Sequence, residues 1–173
     1  MSSISGQNII MNGRSSRASS CGEIFTWNEI SEIHKVRNGI YQRNGKLISL
    51  LTDFGKINPC YPDFHGETAN TIFYTGAGRR GDQKLDSFNR AMFNAADSAH
   101  AVPLFNKLSV GRWEFLGFWR VLEGKYIFDE ARQRMVWKFK LERQFKQKNA
   151  AGRRSSRKSF QTRGEERNLE IID

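Results

Sequence analysis

Apolar residues recur along this chain with two different periods, and the change of period divides it. Behind Thr26-Trp27-Asn28-Glu29, Trp27, Ile30, Ile33 and Val36 follow at intervals of three, and Asn38-Gly39 stops the run. Thr at the first position and Glu three residues on satisfy free backbone donors reciprocally, so a helix is predicted from here. Lys46 to Thr52, with Leu47, Ile48, Leu50 and Leu51, reads as a buried strand. Asp53 to Asn70 reads as a loop, long enough to be a recognition loop. Thr71-Ile72-Phe73-Tyr74 reads as a strand broken by Gly76, Gly78 and Gly81, after which Asp82 is placed to cap a second helix with Leu85, Phe88 and Met92 as its buried stripe.

Beyond that helix the period becomes two. Val102 to Phe105, Trp113 to Leu122, Tyr126 to Phe128 and Met135 to Leu141 read as strands. In the last, Met135, Trp137, Phe139 and Leu141 face one way and Lys138, Lys140 and Glu142 the other. Several strands with two helices and no βαβ alternation predict an α+β domain, built on a curved sheet or small β-barrel flanked by two helices.

Composition then bounds the partner. Of 173 residues, 28 are Lys or Arg and 18 are Asp or Glu, a net charge of +10. Residues 21–142 hold 17 basic and 14 acidic side chains, while residues 143–173 hold 9 and 4, so the charge concentrates at the C-terminal end. That distribution suits a polyanion binder. Residues 1–20, rich in Ser, Gly and Asn, read as a disordered leader, residues 21–145 as the folded unit, and 146–173 as a basic flexible tail. No apolar run reaches the roughly 18 residues that span a bilayer, and no membrane partner is expected. Cys21 and Cys60 form neither a disulfide framework nor a zinc pattern and read as free thiols.

Catalytic and cofactor signatures are sparse. Gly76-Ala77-Gly78-Arg79-Arg80-Gly81 has the dinucleotide-loop spacing G-x-G-x-x-G, but no acidic residue closes a strand about twenty residues on, and short antiparallel-looking strands follow. His34, His65 and His100 stand in no metal-binding spacing, and no nucleophile elbow or Cys–His signature occurs. The chain is therefore read as non-catalytic, with no metal or cofactor. Tyr61 to Arg90 is denser: Tyr61, Phe64, Phe73 and Tyr74 alternate with Asp63, Thr75, Asp82, Gln83 and Asn89 and with Arg79, Arg80, Lys84 and Arg90. Aromatic faces beside polar groups in a basic surround are what a pocket for an extruded nucleobase requires.

The same residues carry a family resemblance. Tyr74-Thr75-Gly76, then Asp82-Gln83-Lys84-Leu85, then Asn89-Arg90-Ala91, resembles the signature of the SRA (YDG) domain, of the PUA-like superfamily. Val136 to Arg143 resembles the last strand of that domain, and the compact spacing is closest to the SRA-like domains of McrA-type HNH endonucleases. The resemblance implies a PUA-like fold that binds double-stranded DNA and flips a modified cytosine, usually 5-methylcytosine, into an aromatic pocket. It implies base-binding roles for Tyr61, Asp63, Phe64, Tyr74 and Thr75, with Tyr61 and Tyr74 sandwiching the base. Backbone contacts fall to Arg79, Arg80, Lys84 and Arg90, and loop bracing to Gly76, Gly78, Asp82, Gln83 and Asn89. Only Ala77 to Gly81 stand where larger relatives carry a gap-filling finger, and no HNH residues follow. The expectation is a reader of modified DNA, acting alone or with a separate nuclease or chromatin factor; it would be intracellular and DNA-associated, nuclear in a eukaryote and cytoplasmic in a bacterium. Alternatives are a PUA-like RNA-binding protein, a specificity subunit of a separate nuclease, and a dinucleotide-binding enzyme.

Overall fold

The structure, a computed structural model, describes residues 3–5, 8–10 and 19–145, and the basic tail 146–173 lies outside the described residues. Within the leader, expected to lack structure, strands β1 (Ser3–Ser5) and β2 (Asn8–Ile10) pair antiparallel. The reason is apolar: Ile9 is buried in a cluster with Phe25, Ile30 and Phe115.

Strand β3 (Ile24–Phe25) leads into helix α1 (Trp27–Ser31), which carries the expected capping box, Thr26 N–H donating to Glu29 Oε2 at 2.7 Å. The helix is shorter than its apolar period suggests. It ends at Ser31 because Ile33 and His34 are drawn inward, and the His34 ring is bonded to Ser49 and to the Asn38 carbonyl. Strands β4 (Ile40–Arg43) and β5 (Lys46–Thr52) follow as a hairpin, then β6 (Phe64–His65) and β7 (Thr71–Thr75). Helix α2 (Ser87–Ser98) precedes β8 (Ala101–Ser109), β9 (Arg112–Asp129) and β10 (Arg134–Gln144).

Eight strands form one sheet in the order β4-β5-β8-β9-β10-β7-β6, with β3 also on β9. Among the described strand pairs, only β5 and β8 run parallel. Among the described residues the fold is α+β, chiefly one open curved sheet with two helices. Strand β9 makes the curve: its first half pairs with β8 and its second with β10. An extra residue on β9 opposite Pro103–Phe105, with Gly117 at φ +91°, turns Phe115 and Phe118 into one core cluster and Trp119 and Val121 into the other. The break expected around Gly124 does not occur. A Cβ there would stand 2.6 Å from the Phe139 ring, so the glycine admits a crossing ring and does not end a strand.

The second helix also starts later than predicted. Its N-cap is Asp86, whose carboxylate accepts from Asn89 N–H at 2.9 Å. Asp82 and Gln83 stay extended because β10, past the end of β7, still needs partners. Asp82 Oδ1 accepts from Met135 N–H at 2.7 Å, and Gln83 N–H donates to the Met135 carbonyl at 2.8 Å. Leu85 therefore lies before the helix and is 45 % exposed, while Met92, Ala91 and Ala95 form the buried stripe.

Candidate nucleic-acid interface

The loop after β5 folds back over the end of the sheet. Asp53 shapes it, its carboxylate accepting from Gly55 N–H at 2.8 Å and Asn58 N–H at 2.6 Å. This fold-back delivers Asp63, only 5 % exposed, to the edge of β7. Its Oδ2 accepts from Thr52 Oγ1 and its Oδ1 from Thr75 N–H, each at 2.6 Å. Burial pushes its carboxyl up to about 6, against the pull of the Thr52 and Thr75 bonds and of Lys138.

Lys138 faces Thr75 across the β7–β10 ladder. Its Nζ donates to Thr75 Oγ1 at 2.7 Å and to the Pro62 carbonyl at 3.0 Å. Burial lowers its pKa, and Asp63 opposes that. An acceptor and a cationic donor thus stand on either side of Thr75. Strand alternation places Lys138 on the face opposite Phe139 and Leu141, and it is only 9 % exposed there because the 53–63 loop covers that face. Phe73 lies on the same side. Phe64, 50 % exposed, stacks on it at 5.1 Å, and Lys138 Nζ is 5.1 Å from the Phe64 ring centre. Phe73, counted from the sequence among the aromatics of the candidate pocket, is thus part of this face.

Tyr61 is half-buried beside the glycine loop; burial raises its phenol, while Arg134 and Arg79 pull it down. Arg134 is the clamp between the two loops, donating to the Cys60 carbonyl and to the Gly78 carbonyl, both at 2.8 Å. The glycine loop itself is built tightly. At Gly76 a Cβ would lie 2.5 Å from Asn89 Oδ1 and 2.9 Å from Trp137 Cβ, and Gly78 sits at φ +120°. Gln83 Nε2 donates to the Gly76 carbonyl at 2.6 Å while its Oε1 accepts from Trp137 N–H at 2.8 Å. Asn89 holds Ala77 on both sides, at 2.7 and 3.0 Å, and the Lys84 carbonyl at 2.8 Å. Arg79, Arg80, Lys84 and Arg90 are exposed around this braced loop.

The structure brings Tyr61, Asp63, Phe64 and Thr75 to one face. It separates Tyr74, whose ring is 3 % exposed in the core and whose hydroxyl donates to the Leu51 carbonyl at 2.8 Å. Alternation along β7 explains it, since Phe73 and Thr75 point to the site and Tyr74 to the opposite side. The expected Tyr61–Tyr74 sandwich is absent from this geometry. Asp82 bonds β10 and caps no helix, as described above. The dinucleotide reading fails on topology, because β7 lies antiparallel between β10 and β6 and the glycine loop does not run directly into a helix N-terminus. Sequence reasoning missed Thr52, Arg134 and Lys138. Only the long-range fold-back of the 53–63 loop reveals them.

The comparisons agree with this architecture. The family model described as ScoMcrA-like, SRA domain, matches residues 26–148. No curated protein matches the chain. Among solved structures, the SUVH5 SRA complex with hemimethylated CG DNA has a TM-score of 0.62 at 22 % identity, over 75 % of this chain and 91 % of that one. The modification-dependent restriction endonuclease TagI has a TM-score of 0.60 at 17 % identity, over 79 % of this chain and 52 % of that one. KRYPTONITE, in complex with mCHG DNA and SAH, has a TM-score of 0.61 at 18 % identity, over 80 % of this chain and 36 % of that one.

Proposed function

This chain belongs to the ScoMcrA-like SRA domain family, and from that premise we propose that it binds double-stranded DNA and reads a modified cytosine, 5-methylcytosine, flipped out of the duplex. The observation that carries the reading is the buried Asp63 at the edge of β7, beside Thr75 and Lys138 and next to the half-buried Tyr61 and the exposed Phe64. A buried carboxylate is a costly thing to keep without a ligand, and it suits the exocyclic amine of cytosine. Tyr61 and Phe64 supply aromatic faces for the base. Exposed Arg79, Arg80, Lys84 and Arg90 supply phosphate contacts, which give affinity without sequence information. Solved SRA relatives are bound to hemimethylated and fully methylated CG DNA, which supports duplex DNA as the partner here too.

In this reading the domain is a non-catalytic reader, intracellular and DNA-associated, and any cleavage or modification of DNA is done by other machinery. TagI, a modification-dependent restriction endonuclease, matches this chain over only 52 % of its own length, so the shared fold is one part of that enzyme. The test is binding to one duplex in unmodified, hemimethylated and fully methylated forms at about physiological salt. A preference for methylated DNA of tenfold or more, about 1.4 kcal/mol, is expected. Equal binding of all three forms overturns the reading, and stronger binding to a structured RNA than to any duplex replaces DNA as the partner.

A further inference from the structure

A pocket that recognises a 5-methyl group alone meets a chemical difficulty. Every thymine in DNA carries the same methyl at the same ring position. What separates 5-methylcytosine from thymine is the opposite edge, where cytosine presents an amino donor beside the N3 acceptor, and thymine presents the O4 acceptor beside an N3–H donor. A reader of 5-methylcytosine therefore needs an acceptor and a donor placed side by side.

Asp63 and Lys138 are such a pair. The Asp63 carboxylate takes one bond on each oxygen, and a carboxylate has about four accepting positions, so acceptor capacity remains. Lys138 Nζ has three N–H groups, of which two are used, on Thr75 Oγ1 and the Pro62 carbonyl. The third has no acceptor of its own; the exposed Phe64 ring, 5.1 Å away, is the group beside it. If the only task were to tie the loop at Pro62 to β7, a neutral amide would do so without the cost of a buried ammonium. Placing a cation with a spare donor next to a carboxylate with spare acceptor capacity is instead the complement of a cytosine edge.

We infer that Lys138 is a second reading group of this site, its free N–H donating to N3 of the flipped 5-methylcytosine while Asp63 accepts from the 4-amino group, so that the pair admits cytosine and rejects thymine. The inference rests on the base-flipping reading above. Thymine in the same pose sets its O4 against the carboxylate and its N3–H against the ammonium, and both contacts are repulsive.

The test uses the full chain and four duplexes that differ at one position: 5-methylcytosine opposite guanine, cytosine opposite guanine, thymine opposite guanine, and thymine opposite adenine. The thymine–guanine mispair matters because a mispaired base flips more easily, which removes flipping cost as the source of discrimination. Wild-type protein should bind 5-methylcytosine at least tenfold more tightly than either thymine. Lys138→Met should lower that ratio about tenfold while leaving the ratio of 5-methylcytosine to cytosine in place, and Lys138→Arg should restore part of it. A uniform loss of affinity with both ratios intact would show a loop clasp only and overturn the inference. A second measurement changes the base instead of the protein: 3-deaza-5-methylcytosine, which lacks the N3 acceptor, should bind wild type about tenfold more weakly. Unchanged wild-type binding to that base overturns the inference. If wild type fails to separate methylated from unmethylated cytosine, the base reading itself falls, and the result is distinguishable because the cytosine arm reports it alone.

Discussion

His34 and Asp63 are both buried titratable groups whose charged forms burial disfavours, one on each side of β5, and they are built differently. The His34 ring is fully enclosed: Nε2–H donates to the Asn38 carbonyl at 2.6 Å and Nδ1 accepts from the Ser49 hydroxyl at 2.8 Å. Each ring nitrogen has one partner, so a neutral imidazole has no bonding capacity left. Asp63 is also bonded twice, but an ammonium stands across Thr75 from it, exposed aromatic surface is adjacent, and both ions keep unused hydrogen-bonding positions. A shifted pKa alone does not distinguish the two sites. Leftover bonding capacity does, and it marks the 52–75 region as the one built for a ligand.

The comparison breaks first on stability. His34→Ala should cost the most, about 3–4 kcal/mol in urea unfolding, because it leaves the Ser49 hydroxyl and the Asn38 carbonyl buried without partners and opens a void. The ratio of affinities for methylated and unmethylated duplex should not move. A variant that keeps its stability, or loses its methyl preference, would show that the His34 region is not the purely structural one.

Asp63→Asn should behave the opposite way, losing the preference for 5-methylcytosine over thymine while gaining stability at neutral pH. The sign follows from the shift. Asp63 is raised from 3.8 to about 6 in the folded state, so its contribution is fully present below pH 3.8 and is lost as pH rises through about 6. That loss amounts to roughly 3 kcal/mol, which the amide does not incur. His34 is lowered from 6.5 to about 4, chiefly by burial, so its contribution is present above pH 6.5 and lost as pH falls through about 4. Across the window between the two the slopes oppose each other, and the wild type should show little net dependence from this pair. Asp63→Asn should then lose stability on acidification, whereas His34→Gln should gain it between pH 6 and 4. Parallel slopes in the two variants would mean that the groups are not independently buried.

How far the sequence reveals all this depends on the range of the interaction. The Thr26–Glu29 capping box is local, and it is visible in four consecutive residues. The apolar face of β10, with Phe139 and Leu141 in the core, follows from alternation alone. Lys138 obeys the same alternation, yet its polar face is covered by a loop about 76 positions away in the chain, as its bond to Pro62 shows. Periodicity reports which face a residue takes, not what later folds over it. Arg134 escapes for the same reason, since its partners Cys60 and Gly78 are each more than fifty residues distant. Asp63 stood out through its loop and a family resemblance, and the same resemblance placed Tyr74 beside the base, where the backbone of β7 turns it away.

Tyr74 therefore gives the finest test, since the expected change in selectivity is none. Its ring lies among Ile40, Leu50, Met92 and Leu104, and Gly39 admits its hydroxyl, which would lie 2.6 Å from any Cβ there. Tyr74→Leu removes both the aromatic face and the bond to the Leu51 carbonyl while keeping apolar bulk. About 2 kcal/mol of stability should go, from the buried carbonyl left unpaired and the smaller side chain. The ratio of affinities for methylated and unmethylated duplex should stay at the wild-type value, because stacking falls to Tyr61 and Phe64 on the other side of the strand. A collapsed ratio in a variant that still melts cooperatively would mean that β7 rotates on binding and presents Tyr74 to the base. The acceptor–donor pair across Thr75 would then belong to the free protein only, so Tyr74→Leu also checks the geometry on which the role of Lys138 depends.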